Sequence, residues 1–260
     1  HGMIGFTVKK SLFDAWDSFM GLALVNLSFV VAAAAAIGLA AALGPGLAGN
    51  LLLAAGFLAF EACRVVAALA LEPLAEGGSL SFRAWFAAWP AALPTALVLG
   101  GVELALFLAL RAAFPFYLGM GGLVGSFALG VVLWSSALVL LALQWLPAAA
   151  ARMPGRTLGA RLKASFAMLL DNLGFTLFVT VWELLALALS FFTAFLVPGF
   201  GGAALARVEA FRLRMRKYEW LESLPAGAAR SSVPWKELLA DDEERLGKRT
   251  LRSLIFPWKD

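Results

Sequence analysis

Residues 19–43, 50–71, 93–114, 123–146 and 173–197 form five apolar runs, each 22 to 25 residues long, that hold only five Asp, Glu, Lys or Arg between them. A helix crossing a bilayer needs about 20 largely apolar residues, so each run is long enough to span one. The rest of the composition agrees, because 62% of the 260 residues are hydrophobic and only 15% are charged. A single soluble core of this size cannot hide that much apolar surface, whereas a bilayer serves as its solvent. The chain therefore reads as an all-α, polytopic transmembrane helical bundle.

After Pro198 the stretch GFGGAALARVEAFRLRMRKYEWLE starts apolar and becomes charged within about two turns, too early for an ordinary span. Lys and Arg counts then bear on orientation. With the N-terminus cytoplasmic, that side holds Lys9, Lys10, Arg83, Arg152, Arg156, Arg161 and Lys163, and the opposite loops hold only Arg111. Five spans would place the basic run Arg207 to Lys217 on the wrong side of that bias. A sixth, short or half-spanning helix with its Gly-rich start near the outer surface restores it. This gives a transmembrane domain over residues 3–217 and a cytoplasmic tail over 218–260, with both termini cytoplasmic.

The pattern repeats three times. KKSLFDAWDSFMGLALVNL, SLSFRAWFAAWPAALPTAL and LGARLKASFAMLLDNLGFTL each carry aromatic residues into a long span, so three helical hairpins, each introduced by an interfacial amphipathic helix, are expected. In the first, Phe6, Leu12, Phe13, Trp16 and Phe19 gather on one side while Lys9, Lys10, Asp14 and Asp17 can face water. Trp16, Trp85, Trp89 and Phe166 are the expected interfacial anchors. Pro90, Pro94, Asn26 and Asn172 mark where the interfacial helices would bend into their spans.

The opening KKSLFDAWDSFMGLALVNLSFVV, the GPGLAGNL turn and the SFRAWFAAWPAAL stretch resemble the YesL-like family of uncharacterised bacterial integral membrane proteins. The resemblance covers most of residues 9–217. It implies an inner-membrane location and a transport-associated role linked to sugar uptake, and it implies no catalytic residues. The ending RTLRSLIFPWKD departs from the pattern. Its Leu251, Leu254, Ile255, Phe256 and Trp258 read as a short amphipathic segment resting on the membrane or the protein.

Most catalytic chemistry is excluded, and the chain is not expected to be an enzyme. The only histidine, His1, precedes Met3 and is read with Gly2 as a cloning remnant, so His-dependent nucleophiles, zinc sites and haem ligation drop out. A single cysteine, Cys63, rules out an intramolecular disulfide and a Cys-rich metal site. The start lacks a small-residue cleavage site, so no cleaved signal peptide is expected. No Walker A motif is present, and GMGGLVG lacks the context of a dinucleotide fingerprint. No cofactor, metal or nucleic-acid partner is expected. Twelve of the 21 Lys and Arg lie beyond residue 206 among nine acids, as in a solvated tail.

What remains is Glu61, Arg64, Glu103, Gln144 and Glu183 inside the runs, with Arg111 close enough to an end to snorkel. Ionisable groups in hydrocarbon cost about 2.5 to 3.5 kcal/mol each on insertion scales, so they face a protein interior or a wet cavity. Glu61 and Arg64 share a helix face at a spacing of three and can neutralise each other. Glu103 and Glu183 stand at equivalent repeat positions and could meet near a common axis, where they would bind a cation, relay a proton or hold a polar solute. The alternative is a structural network with Arg64 and Gln144. Two functions fit: an accessory subunit or scaffold of a transporter complex, with a homo-oligomer also possible, or a small-solute transporter whose glutamates line the path.

Overall fold

The computed structural model describes residues 3–225, 233–247 and 249, and every regular element in them is helical. Five helices are long and apolar enough to cross a membrane: α2 (Phe19–Leu43), α3 (Leu47–Ala75), α4 (Phe82–Met120), the stretch Gly122–Arg152 that contains α5 (Gly122–Leu143), and the stretch Leu173–Thr193 that contains α8 (Leu173–Ser190). Their apolar side chains point outward. Only 22% of the most apolar window of α2 is buried, and Trp134 on α5 is 74% exposed. Outward-facing Leu, Phe and Trp over whole helices are what a bilayer solvates.

The order of the other elements fixes the ends of the bundle. α1 (Met3–Asp17), α6 (Leu146–Arg152), α7 (Leu158–Asp171) and the last turns of α9 (Gly199–Ser223) lie at one end with the short α10 (Trp235–Leu238) and α11 (Ala240–Leu246). The α2–α3 and α4–α5 turns form the other. Gly44 and Gly121 take φ of 77° and 64° there, a conformation that glycine adopts without steric cost. α2 and α3 pack closely because Gly56 has no side chain, and a Cβ there would collide with the Ala36 methyl.

α4 runs unbroken for 39 residues through Pro90, Pro94 and Pro115. The second interfacial helix expected from sequence is therefore the first turns of a span and not a separate element. Proline removes one backbone hydrogen bond per site, which packed neighbours in a membrane bundle can absorb. α1 also differs from expectation, since its apolar face meets protein. Phe6 and Phe13 pack with Leu213, Leu239 and Leu246, and Lys10 turns inward to bind Asp14 and stand 3.8 Å from Glu209.

α9 is the hub, packing on α1, α2, α3, α6 and α8. Its Gly-rich start lies far from the turn end of the bundle. Phe200 meets Phe60 edge-on at 5.0 Å, and Phe60 follows Leu47 by 13 residues, roughly 20 Å along α3. The α8–α9 hairpin thus turns beside the middle of α3, where bare backbone is costly. Asn26 supplies the partners. Its amide donates to the Leu196 and Pro198 carbonyls at 2.8 Å each, and its Oδ1 accepts from the Gly201 N–H at 2.6 Å. Gly199 N–H donates to Ser190 Oγ at 2.8 Å.

At its other end α9 continues past residue 217 without a break, so the helix crosses the boundary drawn from sequence. The segment with α10 and α11 folds back onto it. Asp242, 1% exposed, accepts from Arg212 at 2.7 Å and from Arg216 at 2.8 Å. At the end of α6 Arg152 binds Glu72 and Glu76, and its hydrogen bond holds the Glu76 carboxyl below the usual range. The amphipathic segment from Leu251 to Trp258 lies outside the described residues.

Candidate functional site

Glu61 and Arg64 share one face of α3, three residues apart, as their spacing requires. Arg64 Nη1 donates to Glu61 at 2.6 Å. Across the α3–α4 contact Gly100 lets the backbones approach, since a Cβ there would meet Leu58 at 2.8 Å. That approach delivers Glu103, one turn along α4, to the same Arg64 nitrogen at 3.3 Å from each carboxylate oxygen. One guanidinium nitrogen therefore serves two carboxylates.

Glu183 on α8 has a different partner. Arg207 on α9 clasps it with two parallel hydrogen bonds, Nε to Oε1 at 2.7 Å and Nη2 to Oε2. Such a planar fork is the strongest geometry for the pair. Glu103 and Glu183 thus do not pair with each other: each repeat copy has its own arginine, drawn from a different helix. Gln144 closes α5, where its Oε1 accepts from Thr180 at 3.1 Å and its amide caps the Leu141 carbonyl at 3.0 Å.

These groups surround a cavity of about 260 Å³ between α3, α6, α8 and α9. Arg64, Arg207, Glu183, Gln144 and Thr180 form its polar wall, with Phe60 and Phe200 beside them. Ala68, Ala148, Ala203 and Ala204 leave the space open. Glu61 and Glu103 stand behind Arg64 and hold it in place. Three of the five residues singled out from sequence line the cavity, and the other two orient one of the three.

Arg207 is the residue that sequence reasoning missed, because it opens a basic run that reads as tail. The available signal was its place 24 residues after Glu183, on the returning arm of a helical hairpin. Of the expected anchors, Trp16 is 51% exposed and Phe166 39%, and Trp89 is half-buried. Trp85, at 6%, sits in the core against Trp89. Arg111 is exposed.

Among the described residues no group of three or more His, Cys, Asp or Glu could hold a metal ion. Comparison with known proteins finds no matching family model, no matching curated protein and no matching solved structure.

Proposed function

We propose that this membrane protein is a small-solute transporter or channel, with the Arg64–Glu183–Arg207 cavity as its binding site. One observation carries the reading. Glu61, Arg64, Glu103 and Glu183 sit inside apolar helices, Arg207 reaches Glu183 from α9, and the two arginines on the cavity wall keep nitrogens with no acceptor among the described residues. A purely structural network in hydrocarbon is stable only when its members are satisfied by one another. This one is half satisfied and opens onto space.

The chain belongs, on this reading, to a bacterial cytoplasmic membrane, with both termini cytoplasmic following the Lys and Arg asymmetry. A kinship with the YesL-like proteins is part of the same proposal. A second reading has its own support. An open groove of about 700 Å³, lined by Leu24, Leu27, Val31, Phe82, Phe86 and Trp89, runs along the apolar surface between α2 and α4, and a helix of a transporter subunit would fit it.

Flux separates the two. Glu183→Gln alone would strand the partly buried Arg207, so the informative variant is Glu183→Gln with Arg207→Gln, which removes both charges and keeps hydrogen bonding. As a transporter, the wild type in liposomes passes a solute and the folded double variant loses that flux. A wild type that passes nothing across neutral, anionic and cationic solutes refutes the transporter reading and leaves the subunit role.

A further inference from the structure

The cavity wall also constrains what it can hold, granted that it is a solute site. Arginine carries five N–H donors. Arg64 spends Nη1 on Glu61 and Glu103, and Arg207 spends Nε and Nη2 on Glu183. Nε and Nη2 of Arg64 and Nη1 of Arg207 have no acceptor among the described residues. The unused polar capacity of the wall is thus mainly donor capacity, and it calls for oxygen acceptors.

Charge sets a second condition. Three carboxylates, Glu61, Glu103 and Glu183, face two guanidinium groups. The next charged groups along α3 and α9 are occupied elsewhere, Glu72 by Arg152 and Glu209 beside Lys10. The cluster therefore carries one negative charge in excess when all its groups are ionised. An anion on the free donors would add to that excess in a medium that screens it poorly. A cation would have to sit against two guanidinium groups. An uncharged solute with hydroxyl or carbonyl oxygens meets neither objection. Size narrows it further, because about 260 Å³ falls below the range of drug-sized pockets.

We infer that the cavity between α3, α6, α8 and α9 binds an uncharged, oxygen-bearing solute of a few carbon atoms, held through the free guanidinium edges of Arg64 and Arg207. The test reads binding, not flux, so that it stands apart from the transport question. Detergent-solubilised protein is offered equal concentrations of erythritol, acetate and choline, and saturation-transfer NMR reports which of them binds. The expected result is transfer to erythritol that falls at least fivefold in Ala204→Phe and in Leu187→Trp, two substitutions that fill the cavity from α9 and from α8. Circular dichroism and gel filtration identify which variants are folded, and either one alone suffices. Transfer to acetate or choline that the same variants abolish overturns the assignment of solute class. Transfer to erythritol that they leave unchanged, or no transfer to any probe, overturns the site itself. Binding without flux would refute transport and leave this inference standing.

Discussion

Replacing Asn26 by Ala should be among the most damaging single changes in the chain, although the residue touches neither the cavity nor an ion pair. Its side chain is fully buried and satisfies two carbonyls and one N–H at the α8–α9 turn. Each backbone group left unpaired in such a place costs about 1 to 3 kcal/mol. Three of them give a loss of at least about 3 kcal/mol even at the low end of that range, before the small cavity left by truncation. Cys63 provides the assay. It is the only cysteine in the sequence and is 3% exposed in the fold, so a maleimide fluorophore reports its exposure on heating or in denaturant. Asn26→Asp should be no milder than Asn26→Ala, because it keeps the acceptor for Gly201 but sets a carboxylate oxygen against the Leu196 and Pro198 carbonyls. An Asn26→Ala protein whose Cys63 becomes reactive at the wild-type midpoint, within about 0.5 kcal/mol, would refute the claim that Asn26 holds this turn.

Gly199→Ala should be as harmful through a different cause, since φ is 59° and a Cβ would collide with the Asn26 side chain; the same thiol assay checks it. Glu209→Gln should stabilise the protein by about 1 kcal/mol, because neither carboxylate oxygen has a hydrogen bond among the described residues and Lys10 keeps Asp14 as partner; a loss of stability by chemical denaturation would contradict this. Asp242→Asn should release the segment carrying α10 and α11, read as faster proteolysis between residues 225 and 249 with α1 to α9 intact; unchanged cleavage counts against the arginine clamp. Glu76 is held ionised by Arg152, so its contribution is present above the ordinary carboxylate range and is lost as pH falls through its lowered value. Acid unfolding of Glu76→Gln should therefore depend less on pH than that of the wild type.

The helices were legible because hydrophobic run length depends on local composition alone. The five apolar runs and the polar residues within them map closely onto the structure. Partner choice was not legible. Glu103 and Glu183 look equivalent in sequence, yet their arginines come from α3 and α9, and only the packing of Gly100 on Leu58 and the return of α9 beside α8 decide it. Arg207 was hidden for the same reason, since a basic run following an apolar stretch reads as solvated tail. α1 shows the converse. Its segregated faces fit an interfacial helix, and no sequence pattern could tell lipid from Leu213, Leu239 and Leu246 as the surface they meet. Pro90 and Pro94 read as breakers, but tertiary contacts carried the helix through them.

Solute flux through a cavity that can be filled tests the account most directly. Wild type and Ala204→Phe are reconstituted into liposomes at equal density, and stopped-flow light scattering follows shrinkage and recovery in gradients of erythritol, acetate and choline. The account predicts that wild-type vesicles recover faster than protein-free vesicles for at least one of these solutes, and that Ala204→Phe returns the rate to the protein-free value. Recovery as fast in Ala204→Phe as in wild type, or no faster in wild type than in bare lipid for every solute, would contradict it.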